Sequence, residues 1–490
     1  MEPTVSCTYS NYIDGEWVKT VSGKTFDSFM PANCRESVGS FQHSVPEDVC
    51  GAAKAASDAF VAWKETPAPQ RGQILLKAAA ILDERSDDIA RKFSQELGKA
   101  YSEAKGETLR AVQLLQFYAS ETWRITGRTY PSLNPGRLLY TLRVPLGVVG
   151  IITPWNFPIA IPIWKIAPAL AYGNTVVFKP AGYTSLCGAM IMQIFEEAGL
   201  PPGVMNMITG SGQLLGEPLV KHPAVRGVSF TGSTEVGRQI ACWGAEKGIK
   251  VQLEMGGKNA TIVLGDANLD QASTFVAQGA MFSAGQKCTA TSLALVHKDI
   301  LQDFTALLLQ KVQAIHLGDP LDPATEVGPM VSESQLENVL NYVRIGCEEG
   351  AKLLTGGSRL TGTAYDQGFF MAPTVFSDVT PQMRIAQEEI FGPVVGIIPI
   401  DSIDQAVEIA NGTKYGLSCS ICTGDITAIL QYIQKIDAGL IHINNPTTGA
   451  EPHVPFGGFK ESTSGYRDMG RTAIDFFTQY KTVYFDAPAT

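Results

Sequence analysis

The chain has no surplus of basic residues. Its 38 Lys and Arg against 48 Asp and Glu leave a formal charge of −10, spread along the sequence rather than gathered in a tail, which argues against nucleic acid as the main partner. A long uninterrupted apolar run is also missing. The most apolar stretch, 144–178, is broken by Pro145, Pro154, Asn156, Pro158, Pro162, Lys165 and Pro168. No spanning helix of about 20 residues fits there, and the stretch reads as buried α/β core. The Met1-Glu2-Pro3 opening begins with an acid and lacks the basic-then-apolar layout of a secretory signal. A disulfide framework is absent as well. Nine cysteines, at 7, 34, 50, 187, 242, 288, 347, 419 and 422, are an odd number scattered over a large chain, which fits reduced thiols and a cytoplasmic location. There is no internal repeat or low-complexity segment. What the chain does have is 490 residues at 45% hydrophobic composition, enough for two or three sub-domains, each with its own core.

Asn11-Tyr12-Ile13 and Glu16-Trp17-Val18 flank Asp14-Gly15, a two-residue signal for a tight β-hairpin. Ser44-Val45-Pro46-Glu47 resembles a capping box, and helical spacing of apolar residues follows over 48–63, 71–97 and 101–122. From 147 the pattern turns to short apolar runs, at 147–152, 175–178, 204–208, 227–230 and 250–253, with room for one crossover helix between each. That alternation predicts a parallel, doubly wound sheet with buried strands. Beyond Gly256-Gly257, a plausible hinge, a second series has strands expected at 260–264, 291–297, 393–400 and 438–443. The aromatic, β-branched segment 476–484 reads as a strand that needs a partner.

Ligands of open parallel sheets bind beyond the carboxyl ends of the strands. Asn156 follows the first of these strands, Lys179 the second, Thr231-Gly232-Ser233 the fourth and Glu254 the fifth, so four polar sites fall on one edge. Any one of them alone is better explained as a solvated loop residue. Gly232-Ser233-Thr234-Glu235-Val236-Gly237 leaves a strand and opens a helix, whose free N–H groups suit a phosphate; its spacing is GxxxxG, a weak signal. Gly210-Ser211-Gly212 with Gly216 reads as a turn and helix start more readily than as a dinucleotide loop. Cys288 lies in a polar, small-residue loop, 283–292, and looks the least buried cysteine beyond the N-terminal region; Lys287 favours its thiolate if the ammonium points inward. Cys419-Ser420-Ile421-Cys422 is a lone CxxC in a strand-like run and reads as buried strand cysteines. His453 has no evident metal partner and is substrate-lining at best.

Seven motifs then identify a resemblance. Pro154-Trp155-Asn156-Phe157-Pro158, Lys179-Pro180-Ala181, Phe230-Thr231-Gly232-Ser233, Leu253-Glu254-Met255-Gly256-Gly257-Lys258, Gly285-Gln286-Lys287-Cys288, Glu388-Glu389-Ile390-Phe391-Gly392-Pro393 and Pro455-Phe456-Gly457-Gly458 resemble, in order and spacing, those of the aldehyde dehydrogenase superfamily over essentially the whole chain. The resemblance implies an α/β fold with a doubly wound cofactor-binding sheet (1–124 and 143–255, with 443–470 returning to it), a catalytic domain over 256–442 and a small β oligomerisation element from 125–142 and 471–490. It implies NAD or NADP as cofactor, no metal, a small aldehyde as substrate and a homodimer or homotetramer. Cys288 becomes the nucleophile, Asn156 an oxyanion donor beside the Cys288 N–H, and Glu254 the base for the hydrolytic water. Thr153, Pro154, Trp155, Lys179, Gly232, Ser233, Gly256, Glu389 and Phe391 become cofactor residues, with Lys179 at the adenosine ribose, Ser233 at the pyrophosphate, and Glu389 and Phe391 at the nicotinamide ribose. Arg143, Phe157, Trp164, Thr289, His453 and Phe456 are expected to line the substrate.

The chain departs from the family pattern at two positions. Where NAD-preferring members carry Glu three residues after the lysine, it has Gly182, so the repulsion of a 2′-phosphate is missing and NADP should be accepted. Where succinate-semialdehyde dehydrogenases carry Arg before the lysine of the helix after the first motif, it has Trp164 before Lys165. The segments 158–165 and 285–292 look more like those of 2-oxoglutarate-semialdehyde (2,5-dioxopentanoate) dehydrogenases of sugar-acid or hydroxyproline breakdown. The rival expectations are a broad-range, succinate-semialdehyde or other sugar-derived aldehyde dehydrogenase. A CoA-acylating enzyme, which usually lacks the base, and a non-catalytic protein on the same scaffold fit less well.

Overall fold

The short apolar runs from 147 onward are buried on both faces and form the centre of one sheet. In the computed structural model, which describes residues 7–486, the strands Val148–Ile152, Thr175–Lys179, Val225–Thr231 and Lys250–Glu254 are parallel neighbours in an eight-stranded sheet. Met205–Met207 extends it in parallel. The expected hairpin, Asn11–Ile13 with Glu16–Val18, closes one edge antiparallel through Tyr12 opposite Met207. Its turn needs left-handed backbone at both central residues, and Asp14 and Gly15 supply φ of 54° and 82°. Thr463–Gly465 closes the other edge against Lys250–Glu254. The Met1-Glu2-Pro3 opening and residues 487–490 of the C-terminal segment lie outside the described residues.

A seven-stranded sheet follows Gly256-Gly257. In spatial order it runs Lys352–Thr355, Thr374–Ser377, Val394–Ile400, Thr291–His297, Asn259–Val263, Ser418–Cys422 and Leu440–Ile443, parallel except at the first pair. The CxxC pair sits inside it. Burial pushes Cys419 and Cys422 up to about 11 and about 12, so both are inert strand cysteines. A third, three-stranded sheet joins Thr129–Tyr130, Arg137–Pro145 and Thr478–Asp486.

Local expectations differ from the structure at four points. The helix expected over 71–97 is two, Ala68–Glu84 and Ser86–Leu97, because Arg85 leaves helical geometry at φ −97°, ψ 9°. The first helix, Pro46–Trp63, is capped one residue later than Ser44: the Asp48 carboxylate accepts from the Val45 N–H at 2.9 Å, while Ser44 Oγ accepts from Asn11 Nδ2 at 2.8 Å. Proline at the first helical position fixes that start. The C-terminal strand begins at Thr478, not 476, since Ala473–Phe477 makes a short helix whose Phe476 and Phe477 are buried. Its partner lies in the same chain, in register from Thr478 opposite Pro145 to Asp486 opposite Arg137. Cys242 and Cys347, on exposed helix faces, are more open than half-buried Cys288; helical periodicity turns those two sulfurs to solvent.

Candidate active site

The carboxyl ends of the first sheet supply three of the polar groups directly. Lys179, Thr231 and Glu254 are each the last residue of a strand, and register puts Ile152 beside Lys179 and Phe230, and Thr231 beside Glu254. Asn156 follows in the loop after Val148–Ile152. The second sheet supplies Cys288, just before strand Thr291–His297. Its loop is tightly constrained. Ser283, Ala284 and Gly285 run left-handed, at φ 57°, 51° and 66°, a conformation that costs the first two about 1 kcal/mol or more each. Glu103 offsets this by accepting from Ser283 N at 2.8 Å and Ser283 Oγ at 2.7 Å, and Gln286 Oε1 accepts from the Val331 N–H at 3.0 Å.

Two cavities meet at this loop, and Cys288 is the one residue, among the described residues, lining both. One, of about 320 Å³, is bounded by Trp155, Asn156, Ser233, Gly256, Glu389 and Phe391 among others. The second, of about 310 Å³, is bounded by Phe157, Trp164, Thr289 and Phe456, with Lys99, Glu103, Arg110 and Lys287. Burial pushes the Cys288 thiol up to about 12, helped by the Glu389 and Glu254 carboxylates and opposed by the Cys288 and Thr289 N–H groups. Lys287 is not among the largest influences on the sulfur; its ammonium is buried and its own pKa is lowered by burial. The sulfur rests as a thiol that needs a base.

Glu254 is almost fully buried. Thr463 Oγ1 donates to its Oε2 at 2.8 Å. Its Oε1 has no partner among the described residues, and a Cβ at Gly457 would come within 2.6 Å of that oxygen. Burial, and next the Asp468 carboxylate, hold Glu254 well above the usual carboxyl range; the Thr463 bond and Lys165 work against this. Lys165 itself is paired with Asp468 at 2.6 Å with both side chains buried. Asn156 Nδ2 donates one bond, to the Gln286 carbonyl at 3.0 Å, and its Oδ1 has no partner among the described residues. An amide nitrogen carries two hydrogens, so one N–H is left for a ligand.

The first cavity combines a helix N-terminus with a buried carboxylate. Helix Thr234–Lys247 opens at Ser233, whose Oγ accepts from Val236 N at 3.4 Å, directing free N–H groups outward. Glycine is required at Gly232, where a Cβ would meet the Phe230 ring at 2.5 Å, and at Gly256, where it would strike the Glu389 carboxylate. Glu389 accepts from the Gly257 N–H at 3.1 Å and is pushed up to about 7 by burial. Phe391, left-handed at φ 57°, packs edge-on against Trp155 with ring centroids 5.4 Å apart. Thr153 is buried behind this wall and does not line it. Lys179 lies apart. Its buried Nζ donates to the Pro180 carbonyl at 2.9 Å and is lowered to about 8 by burial. A Cβ on Gly212 would sit 3.9 Å from that nitrogen. The segment Gly210-Ser211-Gly212 is a turn and helix start, and with Gly182 it borders a third cavity of about 750 Å³.

Two expected substrate residues are elsewhere. Arg143 fastens the third sheet: it pairs with Asp475 at 2.6 Å, donates to Thr478 Oγ1 at 2.9 Å and lies over the Tyr480 ring at 4.4 Å. Strand pairing turned it away from the cavity. His453 is exposed beside Glu451, at 3.7 Å, and lines neither cavity. Gln335 and Asn338, at i and i+3 on helix Glu333–Glu348, do line the first cavity, and Gln335 Nε2 donates to the Phe391 carbonyl at 2.9 Å. Their only sequence signal was a polar pair on a helix, too common to single out.

A family model described as the aldehyde dehydrogenase family matches residues 17–483. The chain is 49% identical over 477 residues to the alpha-ketoglutaric semialdehyde dehydrogenase of Bacillus subtilis, covering 97% of this chain and 98% of that protein. It is 44% identical over 475 residues to the alpha-ketoglutarate semialdehyde dehydrogenase of Haloferax volcanii, with coverage of 97% and 98%. Among solved structures, an NAD-dependent aldehyde dehydrogenase from Sinorhizobium meliloti superposes with a TM-score of 0.95 at 38% identity, covering 99% of this chain and 96% of that one.

Proposed function

Because the chain belongs to the aldehyde dehydrogenase family and is therefore an NAD(P)-dependent enzyme that oxidises aldehydes to acids, we propose that Cys288 is its nucleophile and 2-oxoglutarate semialdehyde its substrate. The observation that carries the first part is that Cys288 alone among the described residues lines both cavities. A sulfur at that junction would meet an aldehyde bound in one cavity and a nicotinamide bound in the other. The relatives that act on alpha-ketoglutaric semialdehyde support the second part.

The chemistry follows from what each group can donate or accept. Cys288 loses its proton to a base and its sulfur adds to the aldehyde carbon, forming a thiohemiacetal. The spare Asn156 N–H and the Cys288 N–H donate to the oxyanion, and such a donor is worth about 3–4 kcal/mol of barrier. The dinucleotide, when bound, supplies the hydride acceptor, and the carbon left on sulfur is a thioester. Glu254 then takes a proton from water through its unpartnered Oε1; the hydroxyl adds to the thioester, and the thiolate leaves as the carboxylic acid forms. For the dinucleotide, Glu389 and Phe391 suit the nicotinamide ribose, Ser233 and the helix start the pyrophosphate, and Lys179 the adenosine ribose.

The open space at Gly182, where a Cβ would meet nothing nearer than Phe26 at 3.9 Å, supports use of NADP. Position 182 itself carries no carboxylate to repel a 2′-phosphate, Asp27 being the acid that lines the same cavity, and among the described residues Lys179 has only a carbonyl for a partner. NADP should support turnover with kcat/KM within about a hundredfold of that for NAD, or better, since like-charge exclusion of several kcal/mol is missing; a larger NAD preference in steady-state assays contradicts this. The substrate is tested by a panel. 2-Oxoglutarate semialdehyde should exceed simple aliphatic aldehydes of equal length in kcat/KM, and parity between them sinks the assignment. Exposed Leu138, Leu142, Tyr484 and Phe485 on the third sheet support a homo-oligomer that covers this face.

A further inference from the structure

The substrate cavity contains more positive charge than the chemistry at Cys288 uses. Four residues of helix Tyr101–Glu121 line it, Glu103, Gly106, Glu107 and Arg110, at the i, i+3 and i+4 spacing of one face. Three of the charges around them are internally satisfied. Lys99 pairs with Glu107 at 2.8 Å and donates to the Asn156 carbonyl at 2.7 Å. Glu103 is taken up by Ser283. The half-buried Arg110 has no ion pair and no side-chain hydrogen bond among the described residues, and neither has the Lys287 ammonium across the cavity. The Glu103 carboxylate acts on the Lys287 ammonium through space, which leaves Arg110 as the cation of this lining without a counter-charge.

Position distinguishes the two. Lys287 adjoins Cys288 in sequence, whereas Arg110 also lines an outer cavity of about 560 Å³, which Cys288 does not reach. Arg110 thus stands at the end of the substrate cavity away from the sulfur. Gly106, one turn earlier, has nothing within 4 Å of a built Cβ, leaving room beside the guanidinium. An aldehyde held at Cys288 with a carboxylate four carbon–carbon bonds away, about 5 Å when extended, points its charge toward this end. The one carboxylate at the outer mouth, Glu451, is exposed on the rim near His453 and does not neutralise Arg110.

We propose that Arg110 receives the far carboxylate of the substrate and sets the enzyme's preference for aldehydes that are also acids. A guanidinium offers paired N–H donors matched to a carboxylate. The role is one of specificity, and it rests on the acidic-aldehyde reading above.

The test compares each acid with its own methyl ester. Purified wild-type enzyme and the variants Arg110→Ala and Arg110→Lys are assayed with 2-oxoglutarate, glutarate and succinate semialdehydes and their esters. The ratio of kcat/KM for acid over ester should fall about tenfold to a hundredfold in Arg110→Ala, the loss expected for a charge-assisted hydrogen bond. The change should lie mainly in KM, as for a binding contact, and Arg110→Lys should recover part of it. An acid-to-ester ratio in Arg110→Ala equal to that of wild type overturns the proposal, as does a wild type that shows no preference for acids. If wild type prefers an acid other than 2-oxoglutarate semialdehyde, the substrate assignment fails while the Arg110 ratio still decides this point.

Discussion

Cys288→Ser should lower kcat/KM for aldehyde oxidation by about 10⁴-fold or more, in the range seen when a covalent nucleophile is removed. The substitution exchanges one atom in a half-buried position, so folding and dinucleotide binding should persist. What is lost is nucleophilicity. The burial and the Glu389 and Glu254 carboxylates that raise the thiol to about 12 raise a serine hydroxyl, already a far weaker acid, further still. No cation is among the largest influences on the sulfur. NAD(P)H formation by the variant at the wild-type rate would remove Cys288 from the mechanism. Burial also fixes the direction of the pH dependence in the wild type. A thiol raised to about 12 keeps the thiolate scarce at neutral pH, and burial moves the titration of Glu254 in the same upward direction. Rates should therefore climb as pH rises through the alkaline range.

Glu254→Gln should separate the two halves of the reaction. The amide cannot take the proton of water but can keep the Thr463 contact and the cavity's shape, so acylation should still release about one NAD(P)H per site and then stall. Steady-state turnover should fall about 10²- to 10⁴-fold, the contribution of a positioned general base, and the alkaline rise in kcat should flatten. Rapid-mixing fluorescence reads both the burst and the stall. Unchanged steady-state turnover would mean that another group, such as the buried Asp468 beyond Lys165, activates the water. Loss of the burst with loss of turnover would assign Glu254 to the first half, as the base for the Cys288 thiol.

Much of this arrangement was legible in the residues because buried parallel strands have a plain signature. Val148–Ile152, Thr175–Lys179 and Lys250–Glu254 are short apolar runs ended by the polar residues that share one sheet edge, and the motifs named the groups that converge there. Hidden from the sequence were features decided by tertiary contacts. Arg143 and Arg110 are both cations next to apolar runs. Strand pairing draws Arg143 to Asp475, and helix phase turns Arg110 into the cavity. Periodicity cannot tell a paired charge from a waiting one. The thiol environment was equally out of reach: Lys287 adjoins Cys288 in sequence, yet Glu389, about a hundred residues on, acts on the sulfur through space. Ser44 misled because its hydroxyl is engaged by Asn11, a contact set by the hairpin docking against the first helix.

The most direct measurement is the intact mass of Glu254→Gln enzyme quenched after mixing with NAD(P) and 2-oxoglutarate semialdehyde, followed by peptide mapping. A single acyl adduct on the peptide containing Cys288, absent from the Cys288→Ser, Glu254→Gln double variant, is the predicted result. Full NAD(P)H release with no adduct, or an adduct on another residue, would contradict it.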